Sequence, residues 1–502
     1  MKNEKIKGSV IAYSTIIFQI IINFVFTPIL IKALGIEEYG LYETMNSLGG
    51  TLLIMNFGIA SIVSRNIVKY KKENNKYELE NFLAMSMLVS VFICLLVSVS
   101  GFILSKYIGN IYRNSLNNEQ ITKAKIMFVY IAINLGIMTW RNYTSGIITG
   151  YEKFSFASFT KLLKQILRVL FLSILLRIHI DGIIIVITDM VITIILIIIE
   201  LLYCIFKIKV PIKYHQKNIA TLKEIFFFSM ASFIQTISNQ INLTLDKVIL
   251  GVMTNTSIVA IYAIGLLIVN VMVSILQVIS GFYLPDATRL VLENADGEKY
   301  TKFIIAPGRV QSIIGCGIVW GFALIGKEFL GIWVGENFKE IWLSTLILLI
   351  FTTLSYITNV ANVILDAMLK KMSRALILIG TAILNVILTV LLIKPLGCLG
   401  AAIGTAVSMI IGNLLLMNIY YKRKIGINIL EMYKGIFKGI LLCAFMAFII
   451  AYPFKFITGS DSTRMMICGG IFTLIYLITL IKIGLNENEK QLINKYKNMI
   501  KR

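Results

Sequence analysis

Long apolar stretches recur along the 502-residue chain at a length that suits a lipid bilayer. They run for roughly 18–25 residues, which is the length an α-helix needs to cross a hydrocarbon core of ~30 Å. The stretch from Ile183 to Ile199 is apolar on nearly every side, whereas the strands of a membrane barrel would alternate apolar and polar residues. Because backbone polar groups in lipid must be paired within the segment, the pattern predicts transmembrane α-helices.

About fourteen such spans are predicted, so the fold class is an all-α integral membrane protein. The link at 177–181 is short, and we expect the fifth and sixth helices to form a tight hairpin. The predicted spans in chain order are residues 8–32, 43–65, 82–105, 124–147, 154–176, 182–206, 224–250, 258–285, 303–326, 341–366, 373–394, 398–421, 435–454 and 465–483.

The first twelve predicted helices contain an internal repeat. A shift of 216 residues aligns Gln19 with Gln235 and Asn23 with Asn239. We therefore expect two six-helix lobes. Because six is an even number, both lobes would share one orientation, about a pseudo-two-fold axis along the membrane normal. The predicted units are an N-terminal lobe (1–209), a C-terminal lobe (210–424), two extra transmembrane helices (425–485) and a cytoplasmic amphipathic tail (486–502).

The tail begins with a recognisable helix-start pattern. Asn486 followed by Glu489 resembles a capping box, and the residues after it place apolar side chains on one face and lysines on the other. We expect the tail to lie on the anionic inner leaflet of the membrane, with a solvated tail as the alternative.

Charged residues are scarce and unevenly placed. They make up 15% of the chain, against about a quarter in soluble domains, and the net charge is +22. Lys and Arg concentrate in alternate connections, including one that holds Arg141 and Lys153, and these connections are predicted to be cytoplasmic together with both termini. Membrane topology therefore explains the positive charge, and no nucleic-acid partner is expected.

Residue types that form catalytic or metal sites do not cluster in the sequence. The six Cys residues are scattered without a CxxC pair, and His179 and His215 lie near loops with no cluster of Cys or carboxylate residues beside them. There is no phosphate-binding glycine loop and no nucleophile elbow. The sequence predicts a transporter, not an enzyme, with no metal and no cofactor. A membrane glycan polymerase or ligase is the alternative from a different class.

Three cations on the fifth predicted helix are the main candidate site. Lys161, Lys164 and Arg168 are three and four residues apart, so they share one face. Lys161 lies ~10 Å and Arg168 ~21 Å from the start of the helix, which puts Arg168 near mid-membrane. Such charges are costly unless they line an aqueous cavity or pair internally. We expect a cationic cavity wall for an anionic substrate, and pairing with Asp189 or Glu200 is the alternative.

A cation on the ninth predicted helix is a further candidate for the cavity. Arg309 lies about two turns from the predicted cytoplasmic end of this helix. The alternative is an interfacial arginine whose side chain reaches back to the membrane surface.

Polar residues on the first and seventh predicted helices form a second feature. They are predicted to bind sugar hydroxyls or headgroups from the central cavity, and hydrogen bonds between helices are the alternative. This polar stripe consists of Gln19 and Asn23 on the first helix and Gln235, Asn239, Asn242 and Asp246 on the seventh.

Several segments of the chain resemble bacterial polysaccharide flippases, the O-antigen and lipid-linked oligosaccharide branch of the multidrug/oligosaccharidyl-lipid/polysaccharide exporter superfamily. The resemblance covers nearly the whole chain and rests on the order and spacing of its motifs. The similar segments are TPILIKALGIEEYGLY at 27–42, NFGIA at 56–60 followed by Arg65, DKVILG at 246–251 followed by VAIY at 259–262, LP at 284–285 and PLGCLGAAIG at 395–404.

This resemblance implies a fold and a substrate. The family fold has two six-helix lobes around a V-shaped cationic cavity, often with two extra helices. It implies alternating-access transport of an isoprenoid-diphosphate-linked oligosaccharide across the bacterial cytoplasmic membrane, among membrane lipids and with a coupling cation or proton. Lys161, Lys164 and Arg168 fit the diphosphate by their chemistry and match no family signature. A peptidoglycan-precursor flippase and a multidrug exporter of the same fold are the alternatives. The span 8–32 lacks the carboxylate that multidrug exporters use for coupling.

Overall fold

The computed structural model describes residues 2–56, 58–178, 180–216, 244–368, 371–487 and 489–491, and these residues are almost entirely helical, with no β-strand among them. Residues 244–253 form a further helical segment. The numbered helices are α1 (Lys2–Leu34), α2 (Ile36–Leu52), α3 (Ile59–Lys72), α4 (Lys76–Ile111), α5 (Asn118–Gly150), α6 (Phe154–Ile178), α7 (Gly182–Leu202), α8 (Thr256–Phe282), α9 (Leu284–Leu292), α10 (Gly297–Trp333), α11 (Trp342–Tyr356), α12 (Asn359–Ala367), α13 (Lys371–Leu396), α14 (Cys398–Met409), α15 (Met417–Ile425), α16 (Ile429–Phe437), α17 (Ile440–Ala451) and α18 (Asp461–Thr479).

The predicted all-α membrane architecture is confirmed. Among the described residues, ten helices are long and apolar enough to cross a membrane, and the bent pair α16–α17 raises this number to eleven. The helix α6 is not among them because it carries the three predicted site cations along its length. Most of the predicted seventh span, 224–250, lies outside the described residues, and each of the other predicted spans coincides with one or two helices.

Three predicted spans are broken, which hydropathy did not anticipate. The predicted span 43–65 consists of α2, a 3-10 turn at Leu53–Asn56 and α3, with Gly58 in the left-handed region at φ 62°. The span 341–366 divides into α11 and α12. In the thirteenth span, α16 and α17 meet at an angle of 40° beside Gly439, whose φ is 78°. Glycine takes a positive φ without a steric penalty, so these glycines permit sharp turns within apolar sequence.

The chain divides into two compact units, Met1–Ala263 and Ile264–Arg502. In the first unit, α5 packs against α3, α4 and α7, while α6 packs against α1 and α7. In the second unit, α13 and α14 form a hairpin, and α10 packs against α16, α17 and α18. The predicted boundaries of the two lobes and of the extra helices stay predictions.

Candidate functional site

The cations of α6 sit in a mixed environment within the first unit. Lys161 is exposed, whereas Lys164 and Arg168 are half-buried. Because α6 packs against α7, the side chains of α7 are within reach of this cationic face. The helix itself forms readily, since leucine and lysine are good helix formers and its sequence contains no glycine or proline.

Arg168 forms a bidentate ion pair with Asp189 of α7. Its Nε donates to Asp189 Oδ1 at 2.7 Å, and its Nη2 donates to Asp189 Oδ2 at 3.2 Å. The same Nη2 also donates to the hydroxyl of Tyr42 on α2, at 3.1 Å. Of the two carboxylates expected as partners, Asp189 is therefore the one that binds Arg168. The bidentate geometry holds the guanidinium plane in a fixed orientation.

Lys164 lies one turn before Arg168 and is a half-buried cation of this face that has no fixed partner among the described residues. Among the described residues, its ammonium has neither a hydrogen bond nor an ion pair. It nevertheless interacts electrostatically with Asp189, Arg141 and Arg168, which lie around it. A half-buried ammonium without a fixed partner is available for an anion that enters from outside the protein.

A second buried ion pair beside these residues was not predicted from the sequence. Arg141 was placed in a cytoplasmic connection, but it lies within α5, more than two turns before Gly150. Its Nε and Nη2 donate to Glu200 Oε1 at 3.0 and 2.8 Å. Thr144 donates to Glu200 Oε2 at 2.7 Å. The overlap of Arg141 with the predicted span 124–147 was the signal that could have identified it.

Two further carboxylates of the first unit, those of Glu43 and Asp246, also have fixed hydrogen-bond partners. Lys247, in the helical segment 244–253, donates from Nζ to Glu43 Oε2 of α2 at 2.8 Å. The hydroxyl of Tyr262 donates to Asp246 Oδ2 at 3.1 Å. Asp246 of the predicted polar stripe is therefore a buried hydrogen-bond acceptor that links the segment 244–253 to α8.

The rest of the predicted polar stripe is only partly described. On α1, Gln19 is exposed and Asn23 is half-buried. Gln235, Asn239 and Asn242 lie outside the described residues. The role of the stripe in substrate binding stays a prediction.

Arg309 occupies a different setting, inside the second unit. Only 2% of its surface is exposed, and its Nε donates to Glu489 Oε1 at 2.8 Å. Its Nη1 donates to the carbonyls of Gly435 and Lys438 at 3.0 Å each, and its Nη2 donates to the carbonyl of Gly484 at 2.5 Å. These carbonyls lie at helix ends and breaks, where backbone acceptors lack helical partners. Substrate binding by Arg309 stays a prediction, while its present contacts are structural.

Comparison with known proteins places this architecture in a known class. The fold is similar to the folds of solved flippase and exporter structures. It is similar to the lipid II flippase MurJ in an inward closed conformation, with a TM-score of 0.69, 15% identity, and coverage of 94% of this chain and 98% of that one. It is also similar to an inward-facing multidrug resistance MATE family transporter of the MOP superfamily, with a TM-score of 0.64, 14% identity, and coverage of 83% and 99%.

The family is shown by the sequence. The chain belongs to the polysaccharide biosynthesis protein family, whose model matches residues 6–291. It is 23% identical over 493 residues, 93% of each chain, to the protein named "Uncharacterized membrane protein EpsK" of Bacillus subtilis (strain 168). The protein is therefore a multi-pass membrane protein of a polysaccharide biosynthesis family, with the fold of flippases and exporters.

Proposed function

We propose that the protein is a flippase that moves isoprenoid-diphosphate-linked oligosaccharides across the bacterial cytoplasmic membrane for surface polysaccharide assembly. The observation that carries the proposal is the cationic face of α6, where Lys164 stands without a fixed partner, among the described residues, next to the paired Arg168. A diphosphate is the polyanion that such a lipid-linked sugar must bring into the membrane. Family membership and the transporter fold support the same conclusion.

Lys164 would make the first contact with the diphosphate. The Coulomb attraction between unit charges at a given distance is several-fold greater in a partly dehydrated protein interior than in bulk water. Lys161, one turn nearer the start of α6, extends the same face and would draw the anion inward. Arg168 would then donate hydrogen bonds to the phosphate oxygens, because the N–H groups of its planar guanidinium match their geometry.

Asp189 gives this site a route for release. While the substrate is bound, a phosphate group would replace Asp189 as the acceptor of part of the hydrogen bonds that the Arg168 guanidinium donates. When the substrate leaves, Asp189 would bind both nitrogens again, so that Arg168 is never left as an unpaired buried charge. A transport site must bind strongly enough to load and weakly enough to unload, and an internal competitor meets both conditions.

The sugar moiety would contact the polar stripe. Gln19 and Asn23 offer amide donors and acceptors of the kind that bind hydroxyl groups. The remaining stripe residues on the seventh predicted helix are proposed contacts of the same kind, whereas Arg309 is a proposed contact of the anionic group. A coupling cation or proton is expected from the family resemblance and is not assigned to a residue.

A lipid analysis tests the substrate class. Lipids from a deletion strain and from the same strain carrying the wild-type gene are extracted and compared by mass spectrometry. We expect the deletion strain to accumulate a completed isoprenoid-diphosphate-linked repeat unit and to lose surface polysaccharide. Accumulation of a peptidoglycan precursor instead would favour the precursor flippase. Normal lipids and normal surface glycan in a strain with no second flippase gene would contradict the proposal.

A further inference from the structure

A groove at the turn between α15 and α16 has the properties of a lipid headgroup site. The cavity measures about 660 Å³. Its lining consists of Lys422, Gly426, Ile427, Asn428, Ile429, Leu430 and Tyr433. It lies in the second unit and shares no residue with the α6 site, so a ligand bound in this groove is independent of the proposed transport substrate.

The groove is a fixed part of the fold. Gly426 has a left-handed φ of 81°, which turns the chain sharply after α15. The carbonyl of Gly426 packs closely on Gly297 at the start of α10. The backbone N–H of Asn428 donates to Thr301 Oγ1 at 3.0 Å, and Asn428 in turn caps α16 by accepting from Glu431 N at 3.3 Å. Because both Gly426 and Asn428 contact α10, the turn is held in place and the groove does not need a ligand in order to form.

One end of the groove is cationic. Lys422, which lines the groove, and its neighbour Arg423, which does not, are both exposed, and neither has a hydrogen bond or an ion pair among the described residues. Between residues 422 and 434 the sequence contains four cations and a single carboxylate, Glu431. The charge of this surface therefore suits a phosphate group, and Lys and Arg near a membrane surface attract anionic lipids.

The other side of the groove is apolar and continues onto a membrane span. Leu415, Ile419 and Lys422 are spaced by four and three residues, so they share a face. Leu415 and Ile419 are about half exposed within the candidate membrane span Cys398–Ile425, which is the exposure expected of a lipid-facing stripe. Leu430, at the groove itself, is 66% exposed. An acyl chain along this stripe would bring its own headgroup to Lys422.

We infer that this groove binds an anionic glycerophospholipid of the surrounding membrane, with its phosphate at Lys422 and its chains against the apolar stripe formed by Leu415 and Ile419. The apolar stripe favours a lipid over a free phosphate, since a free ion would leave Leu430 and Ile419 without a partner.

A fluorescence experiment tests this assignment on the full-length protein. The variant Leu430→Trp is placed in lipid nanodiscs that contain a minor fraction of a brominated lipid, either phosphatidylglycerol or phosphatidylcholine. Bromine quenches a nearby indole, and wild-type protein in the same discs gives the background from its own tryptophans. We expect stronger quenching of the new tryptophan by the anionic lipid than by the zwitterionic lipid.

Two charge variants decide whether the groove is responsible. In the Leu430→Trp background, the double change Lys422→Gln with Arg423→Gln should reduce the preference for the anionic lipid by roughly tenfold or more. Lys482→Gln, which removes an exposed cation at the end of another span, should leave the preference unchanged. Equal quenching by the two lipids, or a preference that survives the double change, would overturn the inference. Loss of quenching on addition of soluble glycerol phosphate would assign the site to free phosphates instead.

Discussion

The two half-buried cations of α6 differ in their pairing. Arg168 is held by Asp189 and Tyr42, whereas Lys164 has no such bond among the described residues. A buried ion pair is costly to break on one side only, because the remaining charge is left without compensation. The pair therefore has two measurable properties, one in stability and one in transport, and mutations can separate them.

The Arg168–Asp189 pair is tested by a double-mutant cycle. We expect Asp189→Ala alone to lower the free energy of unfolding by about 1–3 kcal/mol, because it leaves Arg168 unpaired in a half-buried site. Combined with Arg168→Ala, the loss should be smaller than the sum of the two single losses. Thermal unfolding of the purified proteins in detergent measures both.

Export distinguishes the transport role of Arg168 from its structural role. The double variant should remain in the membrane at the wild-type level and still fail to export polysaccharide, because the guanidinium is missing. Arg168→Lys should restore only part of the activity if bidentate phosphate contact is needed. Normal export by the double variant would show that the guanidinium is not part of the transport site.

At the scale of helices, Arg309 connects four segments of the second unit. It lies within α10, and its donors reach the end of α16, the break before α17, the end of the last span and Glu489. The predicted capping box is confirmed, since Glu489 N donates to Asn486 Oδ1 at 2.9 Å and Asn486 N donates to Glu489 Oε2 at 2.8 Å. Glu489 thus caps its own helix and neutralises Arg309 at the same time.

Removal of the Glu489 carboxylate tests this connection. We expect Glu489→Gln to lower the free energy of unfolding by about 3 kcal/mol, since it leaves a guanidinium that is almost fully buried without a counter-charge. Glu487→Gln is the matched control, because it makes the same change at an exposed position two residues away and should have little effect. Thermal unfolding in detergent measures both. An equal, small change for the two variants would mean that the Arg309 pair contributes nothing to stability.

The hairpin of α13 and α14 depends on a close helix contact at Gly400. A methyl group added there would meet the backbone carbonyl of Leu392. We expect Gly400→Ala to destabilise the protein by about 1–3 kcal/mol, as overpacking does in protein cores. Gly380→Ala, on α13, has open space around it and should be neutral or slightly stabilising. If both variants melt like the wild type, the two helices do not approach as closely as described.

At the scale of the whole molecule, hydropathy predicted most of the architecture from sequence alone. The predicted spans that coincide with a single helix, such as 82–105 and 373–394, do so because a continuous apolar run of bilayer length has no other stable backbone conformation. The breaks beside Gly58 and Gly439 were missed, because hydropathy averages composition and carries no information on the sign of φ. Arg141 was assigned to a connection although it falls within the predicted span 124–147, and its pairing with Glu200 was missed because the two residues are distant in sequence.

The candidate site was only partly visible in the sequence. Lys161, Lys164 and Arg168 were visible because three cations on one helix face are unusual within an apolar run. The pairing of Arg168 with Asp189 was expected as one of two possibilities, and only the packing of α6 on α7 decides between them. The role of Arg309 depends on backbone carbonyls from three other segments, and no sequence pattern marks such acceptors.

Membrane orientation follows from charge placement and stays a prediction. The concentration of Lys and Arg in alternate connections predicts that both termini face the cytoplasm. Green fluorescent protein fused to either end should fluoresce, because it folds in the cytoplasm, and alkaline phosphatase fused at the same points should be inactive. An active phosphatase fusion at one terminus would contradict the predicted orientation.

Transport by the purified protein tests the proposed flippase activity and the role of the α6 cations together. Proteoliposomes containing an isoprenoid-diphosphate-linked oligosaccharide are assayed by the access of an external glycosidase to sugar that was initially on the inner leaflet. We expect the wild type to expose the sugar of the inner leaflet to the glycosidase. Lys164→Ala should do so at least roughly tenfold more slowly, the equivalent of ~1.4 kcal/mol in the transport barrier. Lys153→Ala should behave like the wild type. Exposure by Lys164→Ala at the wild-type rate would contradict the role of the α6 cations, and no exposure above protein-free liposomes by the wild type would contradict flipping itself.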